Sequence, residues 1–206
     1  MEVKLIGYLA PREIRAALES RGIHAPLEEL MKHASFTFSI SGVSRALTHQ
    51  LVRHRMASYT QQSQRYVKVE DLAETAVKPK TVDGDAESLF KGVMEHIQDA
   101  YGRLLSAGVP EEDARFILPN AAPTSIIVTM TAKHLLHFFG LRCCNRAQWE
   151  IRELADRMLK LVRSVDPEAF RKAGPNCYQL GYCPEGSFSC GRMEEMREKY
   201  ARLGYE

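Results

Sequence analysis

The sequence predicts an α+β fold: a single domain with a mixed or antiparallel sheet flanked by helices, followed by a Cys- and Gly-rich C-terminal tail. The chain has 206 residues, the length of one ordinary domain, and its 45% hydrophobic content can supply one packed core. Segments with a two-residue apolar period are few, and segments with a helical period separate them without strict alternation. That order favours α+β over a doubly wound sheet. We place the domain at residues 1–170 and the tail, packed on it, at residues 171–206.

Short strands and helices alternate in the first quarter of the chain. Apolar side chains at every second position from Phe36 to Ile40 predict a strand with one buried face. Gly42 is expected to end that strand, and a four-residue apolar spacing from Val43 to Leu51 predicts a helix. The predicted strands are 3–9 and 35–41, and the predicted helices are 12–20, 27–32 and 43–53.

The remaining elements follow less regularly. A polar, aperiodic stretch predicts a loop at 56–64, and residues 65–69 return to a strand pattern. Pro110 followed by three acidic residues is typical of a helix start, and a β-branched apolar run predicts a strand at 124–131. The other predicted helices are 89–104, 132–141 and 148–165, and the tail ends in a charged segment at 193–203.

Composition narrows the classes of function. The formal net charge is only +2, which argues against a protein that coats nucleic acid, since such domains are strongly basic. No apolar run reaches the length of a membrane span, and the N-terminus lacks the layout of a signal peptide. We therefore expect a cytoplasmic protein with no membrane or nucleic-acid partner.

One acid-free segment carries a cluster of positive side chains. No Asp or Glu occurs in residues 30–69, where Arg53, His54, Arg55 and Arg65 lie among several hydroxyl side chains. Arginine donates paired hydrogen bonds to phosphate or carboxylate, and hydroxyls complete such a site. The alternative is a solvated charged surface. Because apolar helix and strand patterns flank the cluster, we favour a site for an anion that comes from outside the chain.

Within this segment, residues 53–65 read Arg-His-Arg, two residues, Ser, four residues, Ser, one residue, Arg. This pattern resembles the signature of flavin-dependent thymidylate synthases. Three further segments, at 33–38, 114–119 and 141–151, are similar to segments of the same family in the same order. A long pattern with three ordered matches is far more specific than one short motif.

The resemblance implies an enzyme, a methyltransferase that converts dUMP to dTMP in dTMP biosynthesis. It implies methylenetetrahydrofolate as the carbon donor, NADPH as the reductant and FAD as the carrier between them. It also implies a homotetramer with active sites at subunit interfaces. The alternative is a non-catalytic nucleotide- or RNA-binding module that uses the Arg53–Arg65 patch. Aromatic residues interleaved with Arg would favour that module, and only Tyr59 and Tyr66 lie near.

The resemblance also implies site residues. Arg142 matches the arginine that polarises the uracil ring, so it is the candidate catalytic residue. The positions that match dUMP contacts are Gln50, Arg53, Gln61, Gln62, Ser63, Gln64, Arg65, Arg115 and Arg142. The positions that match FAD contacts are Arg53, His54, Arg55, Gln61, Thr131, Lys133 and His137.

The chain departs from the family pattern at four of these positions. Gln61 stands where several relatives carry Glu, and Thr131, Lys133 and His137 stand where others carry Asn, Arg and Asn. Lys133 keeps a positive charge without the planar fork of Arg, and His137 can donate to a flavin ring but can also titrate. Ser58, inside the signature, either caps a turn or takes part directly in the site.

The five cysteines all lie outside the acid-free segment; they are Cys143, Cys144, Cys177, Cys183 and Cys190. In thymidylate synthases of the non-flavin class, a cysteine thiolate attacks dUMP. Here no thiol is placed for that attack. The tail cysteines are separated by five and six residues, unlike the tight pair of common zinc sites. We expect free or tail-tethering thiols and no metal, with zinc ligation as the alternative.

Overall fold

The computed structural model describes residues 1–205 and consists of one small sheet and ten helices in that range. The strands are β1 (Glu2–Leu9), β2 (Ser35–Ser44), β3 (Ala57–Gln61) and β4 (Pro123–Thr131). The helices are α1 (Pro11–Glu19), α2 (Leu27–His33), α3 (Arg45–Leu51), α4 (Leu72–Thr75), α5 (Asp85–Ser106), α6 (Glu111–Ala114), α7 (Ala132–Arg142), α8 (Trp149–Val165), α9 (Asn176–Leu180) and α10 (Met193–Arg202). Within residues 1–205, no helix is both long and apolar enough to cross a membrane.

The four strands form one antiparallel sheet in the order β1–β2–β4–β3, which confirms the predicted α+β fold. The two central strands bury alternate side chains, as their apolar period predicts. Phe36, Phe38 and Ile40 of β2 are fully buried. On the other face of β2, the Thr37 hydroxyl lies 2.9 Å from the Thr129 hydroxyl of β4, so polar side chains pair across the strands there.

Three predictions about the signature region are wrong. Gly42 does not end its strand: with φ of 65° it lets β2 bend and continue. The stretch predicted as a loop contains β3, an edge strand with no fully buried face and hence no apolar period. Residues 65–69, predicted as a strand, instead continue a turn that begins at Gln64, in which the Val67 N–H donates to the Ser63 carbonyl oxygen at 3.2 Å.

The residues group into two compact units. Unit 1 comprises residues 1–2, 40–50 and 60–126. Its core lies between α4 and α5, where Leu72 and Met94 are buried. The Leu72 N–H donates to the Gln98 side-chain oxygen at 3.1 Å, so α5 also holds the start of α4.

Unit 2 comprises residues 3–39 and 51–59 and the chain from residue 127 onward. Its core contains the packed pair α7 and α8. Arg163 of α8 is 1% exposed and uses all five N–H donors on backbone carbonyl oxygens. The acceptors belong to Phe170, Arg171, Ala173, Tyr200 and Leu203. This network ties the chain after α8 to the unit; the boundary drawn at residue 170 stays a prediction.

Candidate active site

The Arg-His-Arg residues lie on a short turn between α3 and β3. Tyr59 of β3 holds this turn, because its hydroxyl lies 2.8 Å from the carbonyl oxygens of both Leu51 and His54. Burial raises the pKa of Tyr59 to about 12, so the hydroxyl keeps its proton and donates. Arg53 and Arg55 are exposed on the turn, and within residues 1–205 neither side chain has a carboxylate partner.

The turn and α7 line a cavity of about 210 Å³ in unit 2, called here the basic cavity. Its lining residues are Arg53, His54, Arg55, Met56, Met130, His134, His137, Leu141 and Arg142. Among residues 1–205, this lining has three arginines, three histidines and no acid, so the cavity suits an anion. Sites for drug-sized ligands usually enclose roughly 300–1,000 Å³, so this cavity can hold only part of a dinucleotide.

Arg142 and His54 make a direct contact in the basic cavity. The Arg142 Nε donates to His54 Nε2 at 2.9 Å. Burial, then the charge of Arg142 and then His137 lower the pKa of His54 to about 4, so the ring is neutral near pH 7. Because Nε2 accepts, the proton of the neutral ring is on Nδ1. Burial also lowers the pKa of Arg142, which nevertheless stays charged near neutral pH.

The three predicted FAD positions around α7 differ in their placement. Thr131 caps the helix: its Oγ1 accepts from the His134 N–H at 3.3 Å and lies 2.7 Å from His134 Nδ1. His137 lines the basic cavity, with its ring centroid 6.1 Å from that of His54. Lys133 is exposed; the hydrogen bond and charge of Lys32, and then the charge of Lys133, lower the pKa of Glu29. The structure thus brings His137 to the cavity and leaves Thr131 and Lys133 outside its lining.

Gln61, a predicted contact of both dUMP and FAD, lies at the end of β3 in unit 1. Its Nε2 donates to the Thr48 hydroxyl at 3.0 Å and to the Thr124 hydroxyl at 3.4 Å, and both threonines are buried. A carboxylate in this place could only accept from the hydroxyls, so the Gln reverses the direction of these bonds. The Oε1 of Gln61 is the atom that can accept from a ligand.

The neighbouring dUMP positions use their polar groups in different ways. The Gln50 side chain donates within α3 at 3.4 Å, and the Gln62 N–H donates to β4 at 2.9 Å. The Ser63 hydroxyl accepts from the Arg65 N–H at 3.1 Å, which shapes the turn after β3. Within residues 1–205, Gln64 Nε2 is buried and has no hydrogen-bond partner. Because an unpaired buried amide costs about 1–3 kcal/mol, this donor marks a place for an external acceptor.

Arg65 is paired with a carboxylate, contrary to the expectation for the acid-free segment. Its Nε and Nη2 lie 2.9 and 2.7 Å from Glu112 Oε2 of α6. Lys68 Nζ lies 3.9 Å from Glu111 Oε1 of the same helix. The expectation of an uncompensated cluster is therefore wrong for these two residues, because the acids arrive from a distant part of the chain. It is right for the two arginines of the turn.

A second basic cluster forms in unit 1 around Glu112. The Glu112 carbonyl oxygen accepts from Arg115 Nε at 3.0 Å, while its carboxylate contacts Arg65. Arg45, the first residue of α3, has its pKa lowered by burial and then by the charge of Arg115. In unit 1, Arg65 and Arg115 thus both contact Glu112, and the charge of Arg115 acts on Arg45. Gln64, whose side-chain amide has no partner within residues 1–205, directly precedes Arg65 in the chain.

Several participants were not predicted from the sequence. The sequence identified Glu112 only as an acidic residue at a helix start and Arg45 only as a positive charge, and it did not predict the contacts of either residue. His134 precedes His137 by three residues on a predicted helix, so the helical period could have placed it beside the basic cavity. Ser58 is exposed within β3, so the alternative of a turn cap is wrong.

Comparison with known proteins identifies the family. The family described as "Thy1: Thymidylate synthase complementing protein" matches residues 11–168. A flavin-dependent thymidylate synthase of Geobacter sulfurreducens is 50% identical over 201 residues, covering 93% of this chain and 86% of the relative. The chain belongs to the flavin-dependent thymidylate synthase family. Relatives with the same name from Clostridium tetani (46% identity; 89% and 78% coverage) and Pyrococcus furiosus (49%; 85% and 76%) agree.

Membership of the flavin-dependent thymidylate synthase family confirms the resemblance found in the sequence. The family implies a flavin cofactor, and the donor set of the basic cavity fits one. A dinucleotide flavin carries a charged pyrophosphate, which suits the exposed Arg53 and Arg55, and a polar ring system, which suits His137. Among residues 1–205, no acid in the lining would repel the anion.

Proposed function

We propose that this chain catalyses the reductive methylation of dUMP to dTMP in de novo dTMP biosynthesis, as a methyltransferase that oxidises NADPH. Methylenetetrahydrofolate is the carbon donor, and bound FAD supplies the redox chemistry. One observation carries the proposal: three arginines and three histidines, with no acid, line a cavity in which Arg142 donates to His54. Family membership supports the same reaction.

Residues of the turn would hold FAD. Arg53 and Arg55 would donate to the pyrophosphate, since within residues 1–205 neither guanidinium has a carboxylate to displace. His54 and His137 offer ring nitrogens to the cofactor from the two sides of the basic cavity. The proposed contacts of Gln61, Thr131 and Lys133 rest on the family pattern, since these residues lie outside the cavity lining.

Residues of unit 1 would bind much of dUMP. Arg65 and Arg115 supply positive charge for the phosphate, and the buried Gln64 amide supplies a donor that otherwise has no acceptor. Binding the phosphate requires Arg65 to share its guanidinium between Glu112 and the ligand. The full proposed set is Gln50, Arg53, Gln61, Gln62, Ser63, Gln64, Arg65, Arg115 and Arg142.

Arg142 would act on the uracil ring. A guanidinium at a ring carbonyl would stabilise negative charge that develops on the ring, and this charge lets carbon 5 accept the methylene unit. His54 holds Arg142 in place through the Nε contact, so the donor does not have to reorganise during the reaction. Protonation of His54 would remove this acceptor, so its lowered pKa preserves the contact near neutral pH.

We also propose a homotetramer with active sites at subunit interfaces, located in the cytoplasm. The basic cavity of one chain is too small for a whole dinucleotide, which supports a site completed by a second copy. The alternative of a nucleotide- or RNA-binding module has less support. Tyr59 is occupied with backbone carbonyls, and only Tyr66 is exposed, beneath Arg65 at 5.4 Å.

Titration of the purified full-length chain with FAD tests the proposal. We expect a spectral change that saturates, and binding about ten-fold or more weaker in Arg55→Ala, because a charge-assisted contact is lost. Arg21→Ala removes another exposed arginine far along the chain from the turn and should leave FAD binding unchanged. If saturating FAD produces neither a spectral nor a calorimetric change, the proposal is wrong.

A further inference from the structure

Four of the five cysteines line one cavity. Cys144, Cys177, Cys183 and Cys190 surround a space of about 250 Å³ in unit 2, called here the thiol cavity. All of them are free thiols. The remaining cysteine, Cys143, is fully buried and is not part of the lining. Such a concentration of thiols does not follow from the spacing in the tail alone, because Cys144 lies far upstream.

Two of the four thiols sit on well-packed helices or next to them. Cys144 comes two residues after the end of α7, and Cys177 lies in α9 and is 8% exposed. The helices α7 and α9 touch closely: a Cβ at Gly140 would clash with the Asn176 side chain. These contacts set the two thiols on one rigid side of the thiol cavity.

The other two thiols sit on the loop between α9 and α10. Cys183 and Cys190 lie in a segment whose only regular element is a single 3-10 turn. The Arg146 Nε donates to the Phe188 carbonyl oxygen at 2.7 Å, which holds the loop at the thiol cavity. Gly191 has φ of 71°, a conformation that lets the chain turn directly after Cys190.

The chemistry of this lining suits a soft metal. Sets of four thiolates bind Zn²⁺ or iron–sulfur clusters. Within residues 1–205, the lining contains no imidazole and one carboxylate, that of Glu185, so sulfur dominates the possible ligands. Thiols bind such metals as thiolates, and a bound cation stabilises the deprotonated form.

The sulfurs surround the cavity rather than meet at one point. Within residues 1–205, no three Cys, His, Asp or Glu side chains stand at the spacing that holds a single ion. Ligation of one ion would therefore draw the loop thiols of Cys183 and Cys190 inward, toward the rigid side. A cluster of several atoms would instead occupy more of the existing space.

We propose that Cys144, Cys177, Cys183 and Cys190 are the four ligands of a thiophilic metal centre, Zn²⁺ or an iron–sulfur cluster. On binding, each thiol releases its proton to solvent and one sulfur–metal bond forms in its place. The centre joins the loop and α9 to the end of α7. Arg142 lines both the thiol cavity and the basic cavity, so the centre also fixes the backbone that carries Arg142. The metal site does not depend on the reaction proposed above, and it replaces the sequence-based prediction of no metal.

Metal content of the full-length protein tests the site. The protein is purified without oxygen and with a thiol reductant, and zinc, iron and acid-labile sulfide are measured by mass spectrometry and colorimetry. We expect about one Zn²⁺ per chain, or iron with a matching amount of sulfide. Cys144→Ser and Cys190→Ser should each lose about ten-fold or more of the metal, because losing even a residue that only orients a ligand weakens metal binding about 10- to 100-fold. Cys143→Ala, the adjacent buried cysteine, should keep it.

X-ray absorption at the metal edge gives a second readout that does not require the variants to fold. We expect a first shell of sulfur alone, at about 2.3 Å if the metal is zinc. A shell of nitrogen or oxygen would overturn the proposal. So would wild-type protein that holds no metal after incubation with Zn²⁺, or with Fe²⁺ and sulfide, and so would equal metal content in Cys143→Ala and Cys144→Ser.

Discussion

The lowered pKa of His54 predicts that stability falls between pH 6.5 and pH 4. The unfolded chain binds a proton at this residue near pH 6.5, whereas the folded chain binds it only near pH 4. Stability from this residue is therefore complete above pH 6.5 and is lost as the pH falls toward 4. A pKa that differs by one between the folded and unfolded chain corresponds to about 1.36 kcal/mol, so the His54 pKa contributes about 3 kcal/mol to the free energy of unfolding above pH 6.5. Because the ring is partly exposed, solvent screening reduces this to about 1–2 kcal/mol.

The matched variant is His54→Gln, whose side-chain oxygen can still accept from Arg142 but does not titrate. Urea unfolding of both flavin-free proteins at pH 7, 5.5 and 4.5 measures the free energy of unfolding. We expect wild type to lose about 1–2 kcal/mol more than His54→Gln between pH 7 and pH 4.5. Equal losses in the two proteins would refute a lowered His54 pKa, and with it the neutral ring that accepts from Arg142.

Three further changes have expected outcomes. Arg142→Ala should slow single-turnover methylation at saturating dUMP by about 10- to 1,000-fold, as for other oriented donors, and a wild-type rate would make Arg142 only a binding residue. Arg65→Ala should weaken dUMP binding in calorimetric titration by about ten-fold or more. Glu112→Gln should strengthen dUMP binding about two-fold at low salt, because it removes the carboxylate that competes for Arg65. Weaker binding in Glu112→Gln would contradict the sharing of Arg65 between Glu112 and the ligand. Arg163→Met should lower the free energy of unfolding by at least about 3 kcal/mol, because it leaves buried carbonyl oxygens without a donor. Arg157→Met, at an exposed position of the same helix, should lower it by less than about 1 kcal/mol. Similar losses of stability in the two variants would refute the contribution of the buried carbonyl network.

The parts of the fold that the sequence could predict are those whose apolar period reports burial. The central strands β2 and β4 and the helix α8 bury one face each, so their patterns are strong. The edge strand β3 was not predicted, because hydrogen bonds to a single neighbour hold it and its side chains are only half-buried or exposed. The prediction that Gly42 ends its strand is wrong because a residue with positive φ can bend a strand as well as end it.

The candidate site shows a similar division. The motif predicted which side chains meet at the turn, because Arg53, His54 and Arg55 are adjacent in the chain. It could not predict that Glu112 pairs with Arg65, 47 residues earlier, or that Arg142 donates to His54, 88 residues earlier. These contacts depend on how separate elements pack, and local spacing does not report that.

Formation of dTMP by the purified full-length chain is the most direct measurement of the proposed function. The chain is incubated with dUMP, methylenetetrahydrofolate, NADPH and FAD, and the nucleotides are separated and identified by mass spectrometry. We expect dTMP to appear only when all four are present, and to fall to the background level when FAD is omitted from flavin-free protein. A folded chain that binds FAD and dUMP but forms no dTMP would contradict the proposed reaction.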